Sequence, residues 1–187
     1  MNKENQTSQH QNNTLKTNQI EAAAILVRNR MRETNYEYQF DGRTLEVKLR
    51  YGRKLVVLLP LNRLIVLEKI LNRLPQHVEA VNSVPSEYRV TNHIRTNATD
   101  ETADNVDDKK GDWKTNGIPF EMTFEEIIVR LSKNRELARQ LNTLTMNEIA
   151  QVLDEMPAYI DAVNSVPYYF RIRPVLSCDR WEKENNE

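Results

Sequence analysis

The chain has 187 residues, 26 Lys and Arg against 27 Asp and Glu, and a hydrophobic fraction of 39%. That content can bury a core, and the net charge of −1 gives no wholesale attraction to nucleic acid or a membrane surface. A single cysteine, Cys178, excludes an intrachain disulfide and a cysteine-based zinc site, and only four glycines leave little material for phosphate-cradling loops. No apolar run reaches the roughly 18 residues of a membrane span, so the expectation is a cytoplasmic protein, or a virion protein if of phage origin.

Residues 1–19 are rich in Asn and Gln, with Leu15 the only large apolar side chain after Met1, and they read as a disordered arm. From Ile20, the spacing of Ala23, Ala24, Val27 and Met31 predicts a helix. Next comes alternation: Tyr36, Tyr38 and Phe40, then Leu45, Val47, Leu49 and Tyr51, then the apolar stretch Leu55–Leu59. With Asp41-Gly42 and Gly52-Arg53 at the turns, this predicts a three-stranded antiparallel meander with Glu46, Lys48 and Arg50 facing solvent. Leu64, Leu67, Leu71 and Leu74 mark a helix that Pro75 is expected to break, a short helix follows, and Val84-Pro85 stops it before the strand around Tyr88.

Residues 91–112 are polar and acidic and read as a linker. Beyond them, Thr123 with Glu126 three residues on, flanked by Met122 and Ile127, has the form of a helix start. The same form recurs at Thr145 and Glu148, and the helix there is expected to break at Pro157. Domains are therefore expected at 20–90 (helix, meander and first repeat unit) and 113–175 (helix and second repeat unit), with a charged tail at 176–187.

The most specific feature is a repeat. AVNSVP occurs at Ala80–Pro85 and at Ala162–Pro167, and the segments 75–90 and 157–172 are identical at eight of sixteen positions. The repeated unit is read as helix, proline break, short helix, proline stop and strand, with the meander outside it. The fold class is α+β: an N-terminal helix and three-stranded antiparallel meander plus two helix–short helix–strand units. Asn82 and Asn164 are either helix stops or equivalent partner contacts.

Residues 145–164 resemble a helix-turn-helix, but Asp154-Glu155 occupy the turn and Asp161 the would-be reading helix, where phosphates would be repelled. Residues 28–63 hold nine Lys and Arg against four Asp and Glu, interleaved with aromatics, so Lys48, Arg50 and Arg53 are candidate nucleic-acid contacts. His10, His77 and His93 are scattered, and the aspartates around Asp104 and Asp108 lack calcium-loop spacing. No catalytic, metal or cofactor site is expected. The functional expectation is a non-catalytic protein–protein assembly or adaptor component, of a kind found in phage particles and mobile elements, with a protein partner or a homo-oligomer. The alternative is a nucleic-acid-binding protein. The candidate partner-binding residues are Tyr159, Tyr168, Tyr169 and Phe170, because the first copy has His77, Ser86 and Glu87 where three of these aromatics stand.

Overall fold

The computed structural model describes residues 4–92, 113–115 and 118–181. Helix α1 runs from Glu4 to Thr34 and buries Ala23, Val27 and Met31, one face at helical spacing. It takes in residues 4–19, read from the sequence as a separate arm; that stretch contains no Pro or Gly to stop a helix begun further on.

The meander forms as expected. Strands β1 (Tyr38–Phe40), β2 (Thr44–Lys48) and β3 (Arg53–Leu58) pair antiparallel, with Leu45 opposite Val57 and Val47 opposite Leu55. Leu45, Val47 and Leu49 are buried, while Lys48 and Arg50 face solvent, so the register is the one the alternation requires. The β2–β3 turn places Tyr51 at φ 59° and Gly52 at φ 65°, the left-handed pair of a type I′ hairpin.

Helix α2 (Leu64–Asn82) is continuous through Pro75, and α3 (Met146–Ser165) through Pro157. The expected proline breaks are absent. Leu67, Ile70, Leu71, Leu74, Val78 and Val81 stay in phase on one buried face across the proline. Burial along that stripe outweighs one missing N–H, about 3 kcal/mol at a helix interior. One continuous α3 also removes the turn that the helix-turn-helix resemblance needs.

A second correction concerns residues 123–131. They form no helix; strand β7 (Glu126–Leu131) runs between β6 (Ile118–Met122) and β8 (Arg135–Gln140), and β5 (Trp113–Thr115) pairs with β6. Thr123 does make the expected side-chain bonds, its Oγ1 accepting from the Glu125 and Glu126 N–H groups at 3.2 and 3.1 Å, but these close a hairpin turn. The Asp41 carboxylate does the same for Arg43 and Thr44 at 2.8 and 2.6 Å. The β-branched run Ile127-Ile128-Val129 then alternates, with Ile127 and Val129 buried.

The meander is therefore repeated as well. Each 82-residue step carries β1–β2–β3–α2–β4 onto β6–β7–β8–α3–β9, where β4 is Tyr88–Asn92 and β9 is Phe170–Pro174. The two left-handed turn residues repeat too, as Lys133 and Asn134 at φ 63° and 55°. The two units exchange their last strands. β4 pairs with β8 in one sheet (β4-β8-β7-β6-β5), and β9 pairs with β3 in the other (β1-β2-β3-β9). β4 and β9 lie side by side, and the Ile172 N–H donates to the Asn92 side chain at 2.8 Å. α2 packs on α3, and one apolar core runs through both units.

Of the acidic linker expected at 91–112, Thr91 and Asn92 belong to β4, and residues 93–112 lie outside the described residues. Of the expected tail, residues 182–187 lie outside them too; its start is tied down by Asp179, which pairs with buried Lys54 at 2.8 Å.

Candidate partner-binding site

The repeated hexapeptide is an arginine socket. Arg53 at the start of β3 is 7% exposed, and its guanidinium donates to the carbonyls of Val84 (2.8 Å), Pro85 (2.6 Å) and Tyr88 (2.5 Å), with a longer bond to Val81 (3.4 Å). Arg135 does the same to Val163, Val166, Pro167 and Phe170 at 2.9, 2.6, 2.7 and 2.8 Å. The carbonyls converge where proline stops the helix; Val81, Pro85, Val163 and Pro167 each also accept one backbone N–H at 3.2–3.3 Å, and Val166 accepts from the Lys133 ammonium at 2.9 Å. Burial pushes the Arg135 guanidinium down to about 10, which leaves it charged at neutral pH. The asparagines complete the joint: Asn82 Oδ1 accepts from the Arg50 N–H and Asn164 Oδ1 from the Ser132 hydroxyl, each at 2.8 Å, tying the helix end to the preceding hairpin turn.

The aromatic candidates divide. Phe170 is fully buried, with its ring 5.1 Å from His77, and Tyr159 stacks at 4.9 Å on Tyr88. These contacts are copies of one another across the pseudo-two-fold, since 77 and 159, and 88 and 170, are equivalent positions. Tyr169 packs on Phe170 at 5.0 Å, and only Tyr168, 77% exposed, faces outward. Of the extra aromatics of the second copy, Tyr159 thus packs across the seam on Tyr88, Tyr169 covers Phe170, and Tyr168 is left exposed.

The basic candidates divide as well. Arg53 is inside the socket, and Lys48 is paired with Glu37 at 2.6 Å beside the Trp181 ring. Arg50 alone of the three is an exposed cation with no ion pair among the described residues.

What sequence reasoning missed lies at the outer ends of the two units. A groove of about 500 Å³ opens at the end of the first unit, lined by Ile20, Leu58, Leu59, Pro60 and Leu61 with Arg43 at its edge. A few residues on, the first turn of α2 leaves Leu64, Ile65 and Val66 exposed as well; Ile65 is 72% and Leu58 55% exposed. The second unit is an internal control. Where the first has Leu58, Pro60, Leu61, Ile65 and Val66, the second has Gln140, Asn142, Thr143, Asn147 and Glu148 in the same backbone positions. The fold therefore does not require apolar residues there.

The end of the second unit differs in shape and charge. Phe124, at the position of Gly42, projects from the β6–β7 turn and is 93% exposed, with Met146 also exposed nearby in sequence register to Leu64. Arg43 is replaced by Glu125, and α3 carries a full capping box, Thr145 with Glu148, whereas α2 begins at Arg63 with neither a side-chain cap nor an acidic first turn. The signal was present in the sequence: aligning the meanders as well as the hexapeptides displays it directly.

Among the described residues no three His, Cys, Asp or Glu side chains converge as a metal set, and no helix is long and apolar enough to cross a membrane. Compared with models of protein families, with curated proteins and with solved structures, the chain matches none, and its site is read from its own geometry.

Proposed function

We propose that the protein is a non-catalytic assembly component that binds another protein surface through the apolar groove and helix start of its first unit. The observation that carries this reading is the contrast between Leu58, Pro60, Leu61, Ile65 and Val66 and their polar counterparts Gln140, Asn142, Thr143, Asn147 and Glu148. Exposed apolar side chains weaken solubility, and a duplicated fold that does without them in one copy keeps them in the other for contact. A phage particle or mobile element, the context expected from the sequence, would supply such a protein surface.

The test gives the first unit the second unit's chemistry. A Leu58→Gln, Ile65→Asn variant should fold with an unchanged far-ultraviolet spectrum, because both side chains are already exposed. Purified from the native source, it should lose the proteins that co-purify with the unaltered chain. Retention of the same partners at the same stoichiometry would overturn the reading.

A further inference from the structure

We infer that the two ends are the complementary halves of a single contact, so that the Phe124 turn of one molecule docks in the apolar groove of the next. This inference rests on the assembly reading above and names its partner: a second copy of this chain.

Shape comes first. Phe124 contributes nothing to its own core at 93% exposure, and its turn is closed by Thr123 without help from the ring. The groove at the opposite end has about 500 Å³ of space and aliphatic walls, ample for a benzyl side chain. Gly42, which replaces Phe124 at that end, leaves the mouth open, with nothing within 4 Å of where a Cβ would stand.

Charge selects the pairing. The groove lining includes Arg43, and Arg63 precedes the start of α2, which has no side-chain cap and no acidic residue in its first turn and so favours an anion. Asp41, next to Gly42, is exposed and accepts from the Arg43 and Thr44 N–H groups, which leaves Arg43 and Arg63 as two cations against this one carboxylate. The knob carries Glu125 beside Phe124. Groove against groove would set Arg43 against Arg43, and knob against knob would set Glu125 against Glu125. Knob into groove sets Glu125 near Arg43, and like-charge juxtaposition disfavours the other two arrangements.

Symmetry gives the consequence. The ends are exchanged by the internal pseudo-two-fold, so a contact joining unlike ends leaves one of each free and is heterologous. It propagates head to tail into a ring or an open chain, and added salt weakens it by screening the charge pair.

The experiment is light-scattering mass against concentration on the full chain. The unaltered protein should grow in mass with concentration and shrink with salt. Phe124→Ser and Arg43→Glu should each stay monomeric, a loss of affinity of at least about tenfold. Mixed together, they should form a one-to-one dimer that grows no further, because the intact knob of Arg43→Glu fits the intact groove of Phe124→Ser. Arg43→Glu with Glu125→Arg in one chain should restore growth. A mass fixed at monomer for the unaltered protein, a dimer that survives Phe124→Ser, or no dimer in the mixture would each overturn the inference. Such a failure is distinguishable from failure of the assembly reading, which is decided by whether Leu58→Gln, Ile65→Asn loses its native partners.

Discussion

Arg53 and Arg135, 82 positions apart, hold the same four carbonyls of their own units: Val81, Val84, Pro85 and Tyr88 in one, Val163, Val166, Pro167 and Phe170 in the other. Each guanidinium bridges the end of a helix to the start of the strand that leaves for the other sheet. Removing that of Arg135 takes away four hydrogen bonds from a charged donor, each contributing about 1.5–3 kcal/mol at most, while Val163 and Pro167 keep a backbone N–H and Val166 keeps Lys133. Arg135→Met is therefore expected to lose about 3–5 kcal/mol in urea denaturation. Arg135→Lys should recover less than half of that, since a point-like ammonium cannot reach all four acceptors. A Lys variant as stable as the parent would remove the socket from the account of the fold.

His77 should make stability depend on pH. It is 5% exposed, neither ring nitrogen has a hydrogen-bond partner among the described residues, and burial pushes its pKa down, with Arg73, Lys133 and Arg135 adding to the effect. The unfolded chain then takes up a proton near pH 6.5 that the folded chain resists. Stability is full above that value and falls as the pH drops below it, by up to about 1.4 kcal/mol per pH unit for this one group. His77→Phe, which keeps a ring against Phe170, should flatten the melting-temperature profile between neutral pH and pH 5 relative to the parent. Parallel profiles for the two proteins would show that His77 does not set the slope.

Tyr51 sits at φ 59° in a turn whose next residue is Gly52. A tyrosine there crowds its own carbonyl, a cost of roughly 1–2 kcal/mol that asparagine, which adopts this conformation readily, largely avoids. Tyr51→Asn is expected to stabilise by about 1 kcal/mol, the loss of the Tyr51 ring near the Arg53 guanidinium being small for a half-exposed side chain. Thermal unfolding measures it, and a lowered melting temperature would count against the turn geometry.

Strand exchange predicts how the chain behaves when cut. Fragments 1–105 and 106–187, separated within the linker, each keep a meander whose edge strand lacks its partner. Co-expressed, they should co-purify one to one, because β9 completes the first sheet and β4 the second. Expressed singly, each should self-associate or precipitate. Two soluble monomeric fragments with native-like spectra would contradict the exchange.

Much of this was legible in the residues, and the failures have definite causes. Alternation fixed the faces of β2, because Leu45, Val47 and Leu49 could be buried together in only one register. Thr145 with Glu148 announced α3 correctly, yet the same pair of residue types at Thr123 and Glu126 announced a helix that is a hairpin. The local hydrogen bonds of Thr123 are compatible with either, and the β-branched residues after it, together with pairing to β6 and β8, decide the outcome. Pro75 and Pro157 do not break their helices, because an apolar stripe that stays in phase across each proline outweighs the lost hydrogen bond. The second meander escaped notice because little of it is identical in sequence, although Val47/Val129, Leu49/Leu131, Arg53/Arg135 and Leu55/Leu137 keep the buried skeleton. The aromatics of the second copy were visible, but whether they face a seam or the solvent depends on the strand exchange, which no local pattern encodes.

The order in which the chain is synthesised acquires meaning from the position of β9. The edge of β3, bearing Leu55, Val56 and Val57, is completed only by Phe170–Pro174, which follow the whole second meander and α3 in the chain. Until those residues leave the ribosome, a nascent first unit presents an unpaired apolar strand to its surroundings. Such long-range pairing raises the contact order and slows folding. The first sheet is therefore expected to close only once β9 has been made, and a chain cut before Phe170 to expose that edge.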